Sequence, residues 1–322
     1  MVVAGLGFAV LFFFQVEPPP DAGQSPPRGE RTARPVPRGP FLEVYRDELC
    51  FVNADGDDTP DPVVWMSEGK DKSRVAVVDG RTGQGLWASA AVEGRLPLAC
   101  AGKDRVLAAA GEASLRALDA RTGAELWSAA IAAGPEEIVT GEGCAAVFAR
   151  SGAASSVALG SGAVAPCPSA PRPEPFSGPR WERSKNPRSV QAGDVELRLS
   201  AATEGDPKLT LEGLRGGAAS WARPLDARAP GSRPELMIVV AGGMAVIAGA
   251  DPATGARMRF VGVDAGSGEI RYTRPAGWAG PHVPAMAASG ERVVVIAGGS
   301  LRALDAATGE EVWRAVAPAT LP

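Results

Sequence analysis

The chain has 322 residues, more than one ordinary hydrophobic core holds yet within the range of a single closed all-β array. Its 40 glycines and 29 prolines, about a fifth of the sequence, interrupt any long helix and exclude an all-α bundle. A formal net charge of -4 with 45% hydrophobic residues excludes a disordered chain and a nucleic-acid binder working through a basic face, and the lone histidine, His282, excludes multi-histidine metal sites.

Met1 to Val16 is an uncharged apolar run, a few residues short of the roughly 20 that a helix needs to cross a bilayer. No Lys or Arg precedes it and Pro18 to Pro20 follow at once, so it is expected to be an uncleaved membrane anchor rather than a cleaved signal peptide. The alternative is a buried strand at the start of the domain. Residues 17–40 hold eight prolines and four arginines but no Ile, Leu, Phe or Trp, the composition of a disordered stalk. Arg28, Arg31 and Arg34 after the apolar run would place the rest of the chain in the cytoplasm by the positive-inside rule.

Cys50, Cys100, Cys144 and Cys167 are too widely spaced for paired zinc ligands. Two disulfides and four buried thiols both satisfy an even set of this kind. Shortly after Cys50 comes an acidic loop in which Asn53, Asp55, Asp57 and Asp61 place side-chain oxygens at positions 1, 3, 5 and 9. A calcium ion wants six to eight oxygens, so this loop is the candidate metal site, against the plainer reading of an acidic, solvated hairpin.

From Val75 onward one unit repeats. Val75 to Trp87, Leu115 to Trp127, Phe260 to Tyr272 and Leu301 to Trp313 align as strand, Asp, short turn, Thr/Ser-Gly, strand, aromatic. The turn glycine allows positive φ, and the Asp and Thr side chains bond to the turn's own backbone, so each copy encodes a hairpin. The motif residues are Asp79, Thr82, Gly83 and Trp87; Asp119, Thr122, Gly123 and Trp127; Asp264, Gly268 and Tyr272; and Asp305, Thr308, Gly309 and Trp313. The first two copies lie 40 residues apart, and a decayed turn at Val157 to Gly162 and a weaker copy at Lys208 to Trp221 complete the series. Two short apolar strands precede each hairpin, as at Leu96 to Ala101 and Arg105 to Ala110, or at Val283 to Ala288 and Arg292 to Ala297. Four-stranded antiparallel units of about 40 residues predict a β-propeller over residues 41–322, with six or seven blades and a Pro-rich insertion at 166–187. Apolar runs rather than alternation suit strands buried on both faces.

The spacing Asp-x-x-Thr-Gly-x-x-x-Trp, complete at Asp79 to Trp87, Asp119 to Trp127 and Asp305 to Trp313, resembles the tryptophan-docking motif of quinoprotein, or PQQ-like, β-propellers. The resemblance implies that Trp87, Trp127 and Trp313, with Tyr272 as a substitute, dock on adjacent blades. The family includes pyrroloquinoline-quinone dehydrogenases and non-enzymatic envelope scaffolds. The dehydrogenases carry eight blades and an adjacent Cys-Cys pair, which this chain lacks, so no quinone cofactor and no catalysis are expected. The acidic loop is similar to the calcium loop of FG-GAP propeller repeats, with Gly56 in its place and Asp58 where a second glycine belongs.

The expectation is a non-catalytic propeller, anchored through residues 1–16, that binds protein partners as a scaffold in the bacterial envelope. Family resemblance and the even cysteine set outweigh the stalk arginines and place it outside the cytoplasm with at least one disulfide. The alternatives are a quinone-dependent or other oxidoreductase and a calcium-stabilised adhesion or sensor ectodomain. Trp181 in the insertion is the expected partner-contacting aromatic, and His282 a surface or channel-rim residue.

Overall fold

The computed structural model describes residues 15–16, 49–67, 72–93, 97–168, 189–203, 206–228, 237–253, 257–279, 285–297 and 300–316. Every regular element among them is a strand. β1 (Gln15–Val16) comes first. β2 (Cys50–Val52), β3 (Asp61–Ser67), β4 (Lys72–Val78) and β5 (Gly85–Ala88) then form blade 1, with β6 (Val92–Glu93) paired to the start of β4. Blade 2 contains β7 (Leu98–Ala101), β8 (Arg105–Ala110), β9 (Ser114–Asp119) and β10 (Glu125–Ala130). Among the described residues, blade 3 has β11 (Pro135–Thr140), β12 (Cys144–Ala149) and β13 (Ala154–Ala158). Its fourth strand is reduced to the bridge Val157↔Val164, because Pro166 has no N–H to extend the ladder.

Blade 4 contains β14 (Ser189–Ala192), β15 (Val195–Thr203), β16 (Asp206–Arg215) and β17 (Ala218–Arg228). Blade 5 contains β18 (Met237–Ala241), β19 (Met244–Ala250), β20 (Arg257–Asp264) and β21 (Ile270–Ala279). Blade 6 contains β22 (Ala285–Ser289), β23 (Arg292–Ala297), β24 (Ser300–Asp305) and β25 (Glu311–Val316), with β1 added outside β25. The antiparallel order puts the turns between strands 1 and 2, and between strands 3 and 4, on one face of the ring. The other connections, including those from blade to blade, lie on the opposite face. These are called the motif face and the connector face below.

Five apolar clusters fill the junctions between blades. Val63, Val75 and Val77 of blade 1 meet Leu98, Val106 and Leu118 of blade 2. Leu107 and Leu115 meet Val147 and Val157. Leu197, Leu209 and Leu211 meet Ile247 and Val261, Met258 and Phe260 meet Met286 and Val293, and Val294 and Leu301 meet Val64 and Ala76. Blades 4, 5, 6, 1, 2 and 3 thus form a continuous packed arc. Each fully buried Val or Leu in it contributes about 1.5–3 kcal/mol.

Burial on both faces does not extend to blade 4. Its strands alternate: Val195, Leu197 and Leu199 are buried towards blade 5, while Glu196 and Ser200 are half-buried and Arg198 is exposed on the other face. Among the described residues no apolar cluster joins blades 3 and 4. The Pro-rich insertion between them falls almost entirely outside the described residues, as do Trp181, His282 and all of the apolar run except Gln15 and Val16.

Candidate functional site

The repeat carboxylates are engaged within their own turns. Asp79 Oδ1 accepts the backbone N–H of Arg81 at 2.7 Å and of Thr82 at 3.0 Å, and its Oδ2 accepts the Thr82 hydroxyl at 2.7 Å. Gly83 N–H closes the turn on the Asp79 carbonyl at 2.8 Å. The same pattern recurs at Asp119 with Thr122, at Asp305 with Thr308 and at Asp264 with Ser267. Hydrogen bonds from Ser267 hold the Asp264 carboxyl below the usual carboxylate range. Oxygens committed in this way cap turns; they are not poised as general bases.

A bulge precedes each docking aromatic. Glu125 lies opposite Leu118, but Trp127 lies opposite Ala117, so Leu126 is an extra residue in β10. Leu86, Ser220, Arg271 and Val312 occupy the same place in β5, β17, β21 and β25. A bulge turns the next side chain out of the ladder's regular direction, here onto the neighbouring blade. It also explains why Leu126 and Val312 are exposed although they sit in strands.

The ring of Trp313 lies on Gly83 so closely that a Cβ there would be 2.7 Å from it, and φ of +77° at Gly83 suits glycine. Trp87 lies on Gly123 in the same way, Trp127 on Gly162, Trp221 on Gly268 and Tyr272 on Gly309. Three of these docks add a hydrogen bond from the indole N–H: Trp87 to the Ala120 carbonyl at 2.6 Å, Trp127 to Leu159 at 2.8 Å and Trp313 to Gly80 at 2.9 Å. Arginines from the second strand reinforce two of the acceptors. Arg105 donates to the Leu159 carbonyl at 2.7 Å and Arg292 to that of Gly80 at 2.6 Å.

Among the described residues the Trp221 indole N–H and the Tyr272 hydroxyl find no partner, and burial pushes the Tyr272 phenol above its ordinary pKa. In those two blades an arginine two residues beyond the aromatic reaches the next turn instead: Arg223 donates to the Gly268 carbonyl at 3.0 Å and Arg274 to that of Thr308 at 2.8 Å. Sequence reasoning missed these arginines. Their signal is an Arg at aromatic-plus-two wherever the docking hydrogen bond is absent.

The acidic loop joins β2 to β3 in blade 1; its Asn53 N–H donates to the Lys103 carbonyl of blade 2 at 2.9 Å, and its Pro60 carbonyl accepts the Ser289 hydroxyl of blade 6 at 3.0 Å. Asn53 Oδ1 accepts Gly56 N–H at 2.7 Å, Asp55 Oδ1 accepts Asp57 N–H at 2.9 Å and Asp57 Oδ1 accepts Thr59 N–H at 2.6 Å. Arg81 Nε stands 3.7 Å from Asp57 Oδ2. Asp61 is wholly buried, with Oδ2 accepting Ala54 N–H at 2.7 Å and Oδ1 accepting Gly80 N–H at 2.8 Å. Burial, helped by the nearby Asp55 charge, outweighs these hydrogen bonds and raises the Asp61 carboxyl above its usual range. The carboxylate oxygens that converge within 4.8 Å of one another belong to Asp55, Asp61 and Asp79. Of the three loop carboxylates expected to act together, Asp55 and Asp61 share this cluster and Asp57 does not, and Asp79 of the β4–β5 turn joins them.

Disulfides join Cys50 in β2 to Cys100 in β7, across the first two blades, and Cys144 in β12 to Cys167 beyond β13.

The family described as "Outer membrane protein assembly factor BamB" matches residues 71–164 and 206–321. The chain belongs to this family. The interruption between the two matched stretches spans the insertion and the start of blade 4. No curated protein matches. Among solved structures, BamB from Moraxella catarrhalis aligns at 15% identity over 80% of this chain and 73% of that one, with a TM-score of 0.29. The apo form of AtxE2 isopeptidase aligns at 10% identity over 88% of this chain and 52% of that one, with a TM-score of 0.53. The computationally designed Ika8 protein aligns at 14% identity over 87% and 90%, with a TM-score of 0.29. The likeness to AtxE2 isopeptidase, at 10% identity, is one of fold.

Proposed function

We propose that the protein is a non-catalytic propeller, anchored at the membrane by its amino-terminal apolar run, that holds protein partners in the bacterial envelope outside the cytoplasm. One observation carries the reading: the residues repeated from blade to blade are spent on building blades, the Asp and Thr on turn hydrogen bonds and the aromatics on docking. What varies around that frame is loop surface, where binding sites are built. Membership in a family described as an outer-membrane assembly factor supports a scaffold, and two disulfides suit an oxidising compartment. Crosslinking in native membranes followed by mass spectrometry is expected to recover a protein partner. The purified protein, given pyrroloquinoline quinone and Ca²⁺, is expected to reduce no dye with alcohols or sugars. Dye reduction above the protein-free control would favour an oxidoreductase and end the scaffold reading.

Calcium at the acidic loop belongs to the same proposal. Asp55, Asp61 and Asp79 would hold it, because their carboxylate oxygens converge and each retains lone pairs beyond its backbone contacts. An ion bound only by the folded loop raises stability, by about 2.7 kcal/mol at a hundred times its Kd. Adding Ca²⁺ after chelation is therefore expected to raise the Tm, and Asp55→Ala to abolish the rise. An unchanged Tm at millimolar Ca²⁺ would leave the loop as an acidic turn.

A further inference from the structure

We infer that the outer edge of blade 2, strand β10, is a protein-binding site that takes an uncharged, extended segment of a partner protein as an added strand. The inference rests on the protein-scaffold reading and adds to it where and how a partner is held.

β10 leaves the motif face at Glu125 and reaches Ala130 towards the connector face. Just beyond it, Ile131 N–H donates to the Ala113 carbonyl at 3.0 Å. Backbone groups alternate in direction along an antiparallel strand, so Ala129 and Trp127 also turn theirs to β9, opposite Leu115 and Ala117. Ser128 and Ala130 turn theirs outward. Both residues are exposed, and among the described residues no strand pairs with that side of β10.

An open edge of this kind invites pairing with another chain, and proteins blunt such edges with proline, charge or a covering strand. The other blades do so at or before one register position, three residues beyond the docking aromatic. In blade 4 that position is Pro224, opposite Thr210, and in blade 5 it is Pro275, opposite Arg259. Neither has an N–H to offer. Blade 1 ends β5 at Ala88, and the Ser89 hydroxyl donates to the carbonyl of Ala90, the equivalent residue, at 2.9 Å. Blade 3 has Pro166 in place of the aromatic itself and, among the described residues, only a bridge beyond β13. In blade 6 the position is Val316, and β1 covers it with Gln15 opposite. In blade 2 it is Ala130, opposite Ser114, and none of these devices is present among the described residues.

Blade 6 also supplies the template for the occupant. Its β24 has the same sequence as β9, Ser-Leu-Arg-Ala-Leu-Asp, and leads into the same kind of turn and docking tryptophan. The strand added there, Gln15–Val16, is extended and uncharged. The charge on β10 asks for the same chemistry. Its one charged side chain, Glu125, is already paired with Arg116 at 3.5 Å, so a charged residue laid against this edge would lose water without gaining a partner.

A fluorescently labelled peptide of alternating valine and threonine, kept soluble by two terminal lysines, is titrated against the full chain and followed by anisotropy. Binding is expected. Ala130→Pro is expected to weaken it roughly tenfold, the effect of leaving a hydrogen-bonding group of the peptide without its partner. This variant copies what blades 4 and 5 carry at the same position and takes no bond from the β9 ladder, so the fold accepts it. The same peptide N-methylated along the side that meets β10 is expected not to bind, which tests the edge in the unmutated protein. Binding that survives both changes, or no binding at all, overturns the inference. An unmutated protein that sediments as a dimer, with Ala130→Pro a monomer, gives the edge to a second copy and overturns the partner segment. Native-membrane crosslinks recovered in full from Ala130→Pro leave the scaffold reading standing and overturn this edge as its binding site.

Discussion

Trp313→Ala is expected to destabilise the propeller by about 3–5 kcal/mol, the usual loss for deleting a buried aromatic. For a domain of this size that lowers the Tm by roughly 10 °C. Trp313 is 4% exposed, lies on Gly83 of blade 1 and donates to the Gly80 carbonyl, so it joins the last blade in sequence to the first. Arg292 and Ser289 of blade 6 reach the same place, the latter through the Pro60 carbonyl at 3.0 Å. Trp313→Phe separates ring packing from the hydrogen bond, whose net contribution is about 1 kcal/mol. Trp221→Phe is the matched control, because its indole N–H has no partner among the described residues to lose. Urea unfolding of the three variants checks the ranking. A Trp313→Ala protein as stable as the unmutated one would mean that blade 6 does not depend on this dock.

The docking turns were legible because a turn chemistry repeated at fixed spacing needs no tertiary information: Asp, Thr and Gly bond to neighbours a few residues away. Blade 4 was legible too, although the expectation of strands buried on both faces passed over it. Val195 to Leu199 and Leu209 to Gly213 alternate, the mark of a sheet with one wet face. Expecting four full strands in every unit ignored what Pro166 does to the outer edge of blade 3. The bulges were not legible, since an extra residue shows only against its partner strand. The pairing of Gln15 with Val316 and of Val16 with Ala315 joins the two ends of the described chain. Apolar content alone does not separate a lipid-facing run from one that ends in an edge strand.

Asp61 shows the same limit and yields the second large effect. Read from the sequence it is the last oxygen of the candidate metal loop; the fold shows that it is also a buried brace between two backbone segments. Asp61→Ala leaves the N–H groups of Ala54 and Gly80 without their acceptor, at about 1–3 kcal/mol each, so a loss of roughly 2–6 kcal/mol is expected. Gly80 transmits the damage. A Cβ there would stand 2.2 Å from the Pro60 carbonyl oxygen, and the Gly80 carbonyl receives both Trp313 and Arg292. Asp61 therefore sets the peptide that blade 6 grips, and Asp61→Ala combined with Trp313→Ala is expected to cost less than the sum of the two single losses. Asp61→Asn keeps one acceptor and removes the buried charge, so it should be milder. Its stability relative to the unmutated protein also carries a pH signature. Because burial raises the Asp61 pKa, the folded state binds this proton more tightly than the unfolded chain does. The wild-type contribution is most favourable below the unfolded carboxylate pKa and declines as pH rises through the folded value, after which the charge stays buried. The stability difference between wild type and Asp61→Asn should shift against the wild type across that window, read from urea midpoints at a series of pH values. A flat difference would mean that Asp61 is ionised as easily in the fold as in water, and that its braces compensate fully for its burial.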